Sequence, residues 1–341
     1  MTTSSTNLKP PTPSSEEPLQ ALSIKTEALR LGFSACGIVK AERVNAVAEQ
    51  ELQLYLSEGR QAEMHYLENY TDKRLDPRLL VEGAQTLLSV ALNYYPSLRL
   101  DADQLQFAYY AYGKDYHVVV KEKLNALLTF IQQQRPDILG RAFCDTAPIL
   151  ERYWAWRSGI GWIGKNKQLL LPHHGSYFFL GELLLTAPCD HYDTPIPSFC
   201  GSCHACIEAC PATLCNGPSP LCKENEQKES WVNCLSYLTI EHRGEIPEMA
   251  KKGMGNTIYG CDQCQKVCPH NRFARPTSVS DFAPTTDFLK MQPKEWEQLT
   301  KLQYTTLFKG SAVKRTKYEG LIRNIKAIHS PSEIVIDLGE N

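Results

Sequence analysis

Apolar positions run along this chain in two rhythms. Residues 19–31 repeat at helical spacing and stop at Gly32, and Ala35–Val39 is a short apolar run of strand character. Residues 42–58 make a second helical stretch, ended by Gly59. Thr86–Tyr95 is apolar and β-rich and predicts a buried strand, with Phe107–Tyr112 as another candidate. Asp115 is placed to cap a helix running to about Gln134, with Pro136 beyond it. Arg141–Cys144 predicts a brief strand leading into Asp145-Thr-Ala-Pro148, and Ile149–Arg157 a helix. Leu169–Leu171 and Ser176–Thr186 predict strands paired across His173-His174-Gly175. Strands and helices mixed in this way before residue 190 imply an α/β or α+β domain.

Beyond it, residues 190–275 are loop-rich and hold most of the cysteines. After Pro276 a linker leads to a short helical tail, giving a third segment over 276–341. Residues 1–18 are rich in Ser, Thr and Pro, lack the apolar core of an export signal and read as a disordered leader. No apolar stretch reaches the roughly 18 residues of a membrane span, so the expected setting is cytoplasmic.

The cysteines change the picture most. One run is Cys200-x2-Cys203-x2-Cys206-x3-Cys210-Pro211, and a second is Cys261-x2-Cys264-x3-Cys268-Pro269. The first is the ligand spacing of a bacterial-type iron–sulfur ferredoxin, in which the fourth cysteine of a run ligates the other cluster. Two [4Fe-4S] clusters need eight thiolates, and the second run is one short. Cys234, in a segment that reads as helical between the runs, is taken as the missing ligand, with Cys215 and Cys222 as spares. Cluster I is then Cys200, Cys203, Cys206 and Cys268, and cluster II is Cys210, Cys234, Cys261 and Cys264. Zinc prefers two separated cysteine pairs. An odd total of 13 cysteines without an export signal argues against a disulfide framework. Cys36, Cys144 and Cys189 read as small buried hydrophobes.

Such a pair of clusters is a wire for single electrons and needs something to reduce. The letters of a dinucleotide fingerprint occur at Gly159, Gly161 and Gly164, but a helix precedes them and a strand follows, the reverse of a nicotinamide site. The loop reads instead as one that lets backbone approach a large planar cofactor or substrate. Asp145 is the acid singled out, at a strand end, where a bulky apolar cofactor would raise its pKa and make it a proton donor. Capping of the following helix is its other reading. His117 is open between cofactor contact and helix packing. Net charge is −2, yet residues 314–326 carry Lys314, Arg315, Lys317, Arg323 and Lys326 against Glu319 alone. This is a solvated helix face or a phosphate-contacting patch.

Several stretches together resemble the epoxyqueuosine reductases, cobalamin-dependent iron–sulfur enzymes that complete queuosine in tRNA. They are Tyr110-Ala-Tyr-Gly-Lys-Asp-Tyr-His117, Asp145-Thr-Ala-Pro-Ile-Leu-Glu-Arg152, Gly159-Ile-Gly-Trp-Ile-Gly-Lys-Asn166, Gly175-Ser-Tyr-Phe-Phe-Leu-Gly-Glu182, Cys200-Gly-Ser-Cys-His-Ala-Cys206, Cys234-Leu-Ser-Tyr-Leu-Thr-Ile-Glu241 and Ile258-Tyr-Gly-Cys-Asp-Gln-Cys264. The resemblance runs from about residue 20 to residue 325. It implies an α+β chain: a nitroreductase-like, cobalamin-binding α/β domain over 19–189, then a ferredoxin-like domain with two [4Fe-4S] clusters over 190–275. It implies Asp145 as proton donor near the cobalt and, more loosely, Arg74, Asn166, Ser176 and Ser236 in the cofactor pocket. His242 and Arg243 are implied for tRNA contact, joined by Lys314, Arg315 and Arg323 of the basic stretch. Longer members carry a C-terminal helical-repeat domain, and the expectation here is that the core and the basic helix grip the tRNA alone. A low-potential ferredoxin or flavodoxin is the expected electron donor, and a monomer the expected state. The competing readings are a dehalogenase-like reductase of a small molecule, and a non-catalytic electron carrier.

Overall fold

The computed structural model describes residues 17–211 and 234–329. Most of the leader, Cys215, Cys222 and the last twelve residues of the sequence lie outside the described residues. In chain order the described strands are β1 (Ala35–Lys40), β2 (Thr86–Asn93), β3 (Gln106–Phe107), β4 (Gly140–Phe143), β5 (Trp162–Ile163), β6 (Leu169–Leu170), β7 (Phe178–Leu185) and β8 (Thr257–Tyr259). The helices of the first half are α1 (Ala21–Arg30), α2 (Ala46–Ser57), α3 (Thr71–Leu75), α4 (Tyr116–Gln134) and α5 (Glu151–Arg157).

Four strands form an antiparallel sheet in the order β1-β2-β7-β4. β2 is buried along nearly its whole length, as its unbroken apolar run predicts. On one face lies α4, capped by the Asp115 carboxylate and burying Val119, Val120, Leu124, Leu127 and Ile131. Gly181 lets that helix approach β7, since a Cβ there would meet Val120 Cγ1 at 2.7 Å and Leu124 Cδ1 at 2.9 Å. The other face carries α5, which buries Trp154 and Ala155 completely. Gly37 serves the same purpose there, with Ser158 O 2.1 Å from its missing Cβ. An all-antiparallel sheet has no βαβ unit, so the three glycines at 159–164 lack the frame of a dinucleotide site.

Three sequence expectations need correction. Phe107–Tyr112 is a strand only as far as Phe107, after which Tyr109–Ala111 turns into a 3-10 helix. Leu169–Leu170 pairs with Trp162–Ile163, not with the segment after His173-His174-Gly175, across which only a Leu171–Gly175 bridge survives. Both edges of β7 are already taken by β2 and β4, so it has no edge left for β6. The glycine loop itself packs against protein: a Cβ at Gly159 would meet Thr194 O at 2.5 Å, and one at Gly161 would meet Leu170 O at 2.4 Å.

The cysteine-rich part holds α6 (Ala205–Glu208), α7 (Leu235–Ile240), α8 (Glu248–Met254) and α9 (Gln263–Lys266), then α10 (Thr286–Lys290), α11 (Pro293–Glu297), α12 (Lys301–Leu307) and α13 (Lys317–His329). β3 pairs in parallel with β8, joining the two halves of the chain. The segment after residue 276 is larger and more central than a short tail. Trp296 is fully buried, with its ring 5.2 Å from Phe107 and 6.3 Å from Phe308, and one apolar core runs from Leu19 to Ile325. Among the described residues no helix is long and apolar enough to cross a membrane.

Trp296→Ala removes a large, fully enclosed ring and should cost about 3–5 kcal/mol. Urea unfolding monitored on the whole chain checks this. A loss below about 1 kcal/mol would mean that the C-terminal helices are peripheral after all.

Candidate active site and cysteine centres

β4 delivers Asp145 to the surface two residues beyond Phe143. Asp145 sits in the left-handed region (φ 56°), a conformation Asp tolerates better than most residues but which is still strained. The turn is closed by a hydrogen bond from Thr146 N to Cys144 O (2.6 Å), and Lys121 Nζ donates to Thr146 Oγ1 (2.9 Å). The first turn of α4 supplies the partners. Tyr116 Oη donates to Asp145 Oδ2 (2.5 Å), and His117 donates from Nε2 to the same oxygen (3.2 Å) and from Nδ1 to Asp115 Oδ1 (2.6 Å). Tyr116 is held between His117 (4.1 Å) and Phe179 of β7 (4.3 Å, interplanar angle 1°). Behind the turn, the Asp145 backbone N–H donates to Glu151 Oε1 at the start of α5.

Charge at this site is set by its protein neighbours. Loss of solvent pushes the Asp145 carboxyl up, but hydrogen bonds from His117 and Tyr116 and the charge of His117 outweigh it, so its pKa is lowered. For His117, burial works against the charge, while Asp115 and Asp145 raise the pKa to about 9. At neutral pH the proton therefore resides on His117, with Asp145 ionised beside it. Burial pushes Glu151 up to about 7, helped by the Asp145 charge. Sequence reading missed Tyr116, and it left His117 open. The adjacency of Asp115, Tyr116 and His117 ahead of a helix was the available signal, but their meeting with Asp145 across 28 residues was not visible.

Tyr66 and Arg315 lie within electrostatic reach of Asp145. The Arg315 guanidinium lies 5.5 Å from the Tyr66 ring centre, pairs with Glu241 through two nitrogens at 2.8 Å, and acts electrostatically on Asp145. Lys314 is exposed nearby in sequence. His242 bonds Glu63 (3.0 Å) and Glu245 O (3.0 Å). Arg243 donates to the carbonyls of Ile240, Thr316 and Arg315. Arg323 donates to those of His242, Gly244 and Leu238. Arg243 and Arg323 thus pin α7 to α13 and its preceding turn. Arg74 is buried, donating Nη2 to Tyr66 O (3.1 Å) while its Nε has no hydrogen-bond partner.

The cysteines fall into two groups. Cys200, Cys203, Cys206 and Cys268 line one cavity with Lys165, Asn166 and His270. Cys206 senses the other three electrostatically. Burial pushes Cys264 and Cys261 up, and each also senses Cys234 and Cys210. Each group therefore borrows a cysteine across the two sequence runs. Lys165 Nζ donates to Gly201 O (2.9 Å) and Cys203 O (3.1 Å) beside the first group, while Asn166 Nδ2 reaches Cys264 O (3.5 Å) in the second. Ser176 is buried, donating Oγ to Gln265 Oε1 (2.9 Å), and Ser236 is half-buried in α7 next to Cys234.

The His117 pKa is raised on folding, so its stabilising effect is complete below its unfolded value of 6.5 and is lost as pH rises through about 9. His117→Gln should therefore destabilise the protein most at pH 6 and hardly at all above pH ~9.5. Denaturant midpoints for both proteins across this range test it, and a pH-independent difference would contradict the assignment.

Two family models match the chain: "Epoxyqueuosine reductase QueG, DUF1730" over residues 74–146, and "4Fe-4S double cluster binding domain" over residues 199–271. An epoxyqueuosine reductase of Cellulophaga algicola is 44% identical over 302 residues, covering 89% of this chain and 95% of the relative. A crystal structure of epoxyqueuosine reductase with an epoxyqueuosine-modified tRNA-Tyr stem loop superposes with TM-score 0.79 at 28% identity, over 90% of this chain and 80% of that one. A Bacillus subtilis epoxyqueuosine reductase, its aspartate catalytic loop swung out of the active site, matches with the same TM-score and coverage at 27% identity. By identity, extent and fold, this chain belongs to the epoxyqueuosine reductase family.

Proposed function

We propose that this protein reduces epoxyqueuosine to queuosine in tRNA, the last step of queuosine biosynthesis. The observation that carries this is the match, over nine-tenths of the chain, to the enzyme crystallised on an epoxyqueuosine-modified stem loop. The reaction takes up two electrons and two protons, converts an epoxide to an alkene and releases water.

Residues 190–275 are read as the segment that holds two [4Fe-4S] clusters, and 19–189 as the cobalamin-binding catalytic domain, with 276–341 completing the fold. The grouping of the cysteines supports cluster I on Cys200, Cys203, Cys206 and Cys268, and cluster II on Cys210, Cys234, Cys261 and Cys264. A soft, all-thiolate donor set suits iron–sulfur clusters, which supply single low-potential electrons. Cobalamin fits the buried, idle Nε of Arg74, a donor suited to an amide or phosphate oxygen of such a cofactor. Asn166 and Ser236 join Arg74 as its holders, and Ser176 acts by fixing Gln265. When bound, cobalamin supplies a reduced cobalt nucleophilic enough to open an epoxide.

The chain's own part is proton delivery and orientation. Asp145 Oδ2 draws on the proton held at His117 Nε2 and on the Tyr116 hydroxyl. His117, fixed by Asp115, restores it. As the epoxide oxygen leaves, this relay protonates it. Arg315 and Tyr66, within electrostatic reach of Asp145, meet the nucleotide, while Lys314 contributes charge against phosphate. His242, Arg243 and Arg323 shape this region by bonding its backbone, a supporting role in tRNA contact. A low-potential ferredoxin or flavodoxin serves a monomeric enzyme as donor.

Protein loaded anaerobically with both cofactors, reductant and epoxyqueuosine-bearing tRNA should yield queuosine, seen by nucleoside mass spectrometry. Failure under those conditions, or turnover of halogenated organics in its place, would overturn the reading. Asp145→Ala should lower turnover by roughly 10²–10⁴-fold with cluster absorbance unchanged. Cys234→Ser should lose about half the bound iron and the signal of one cluster, and full iron content would remove Cys234 from the ligand set.

A further inference from the structure

Asp145 is held from two sides, and only the front is part of the proton relay. Tyr116 and His117 grip its carboxylate, and that grip changes whenever the carboxylate gains or loses a proton. The rear contact is of another kind. The Asp145 backbone N–H donates to Glu151 Oε1, a bond that uses no atom of the Asp145 side chain.

Glu151 is well placed for this. It opens α5, whose next turns bury Trp154 and Ala155 against the sheet, so its backbone is fixed. The helix has no side-chain cap from Leu150, so Glu151 is not engaged in a capping box. Glu182 of β7 lies behind it, fully buried, with its carboxyl against that of Glu151. Burial, then the charge of Glu151, keeps Glu182 protonated, which leaves Glu151 as the acceptor of the pair. In either protonation state Glu151 keeps an oxygen able to accept an N–H.

We propose that Glu151 is the positioning residue of the catalytic turn. Its carboxyl oxygen latches the Asp145 amide from behind and holds the left-handed conformation through the whole protonation cycle. This rests on the reading of Asp145 as the proton-delivering residue.

The test compares Glu151→Gln and Glu151→Met, which are alike in length while only Gln keeps the acceptor. Hydrogen–deuterium exchange of the peptide containing Asp145 is measured in the full chain, and kcat and KM for epoxyqueuosine-bearing tRNA in the loaded enzyme. Glu151→Met should exchange the Asp145 amide about tenfold faster. Its kcat should fall about a hundredfold with KM within about twofold. Glu151→Gln should restore both readouts. Wild-type exchange in Glu151→Met, or equal damage in both variants, overturns the latch. Asp145→Ala separates the two readings: if it retains turnover, the relay reading falls, while accelerated exchange in Glu151→Met still stands for the latch.

Discussion

The eight-residue antiparallel pairing of β2 with β7 is the constraint on which the rest depends. β7 takes β4 on its other edge, and so sets where Asp145 leaves the sheet. Its side chains serve both faces. Phe179 stacks under Tyr116 on the α4 side, and Glu182 stands behind Glu151 on the α5 side. A register slip of one residue would turn every β7 side chain to the opposite face, separating Tyr116 from its stacking partner and placing a carboxyl beneath α4. The site is thus built by one strand more than by any loop.

Joining the cysteine-rich part to the sheet is a second, smaller interaction. β3 and β8 are too short to hold two domains together by hydrogen bonds. Packing does that work. Phe107 and Tyr259 lie within one aromatic cluster with Phe288, Trp296 and Phe308, and the sheet side of the same core reaches Ile240 and Ile258.

How much of this was legible in the sequence depended on whether the signal was local. The cysteine spacing announced its chemistry, because x2-x2-x3 ligand spacing is imposed by the cluster over a few residues. The place of Asp145 just past a short strand was legible too. The strands Ala35–Lys40 and Thr86–Asn93 were legible because buried strands are apolar throughout. The sign of the Asp145 pKa shift was not, since it is set by Tyr116 and His117, which arrive from a different element. The partner of Leu169–Leu170 was missed because nearness along the chain favoured a hairpin, while tertiary competition had already filled both edges of β7. The central role of Trp296 was hidden because short amphipathic helices look alike whether they are peripheral or in the core.

Arg323 and Asn324 carry a consequence for how the protein comes into being. Asn324 is fully buried and donates to the carbonyls of Thr239 and Ile258, while Arg323 ties down Leu238, His242 and Gly244. Those carbonyls belong to the segments carrying Cys234 and Cys261. Synthesis proceeds from the N-terminus, so these segments leave the ribosome well before the residues that fasten them. The sheet can form early, but the cysteine loops stay unclamped until residue 324 has emerged. Translation itself thus leaves an interval in which the segments carrying Cys234 and Cys261 are present but not yet fastened by the last helix.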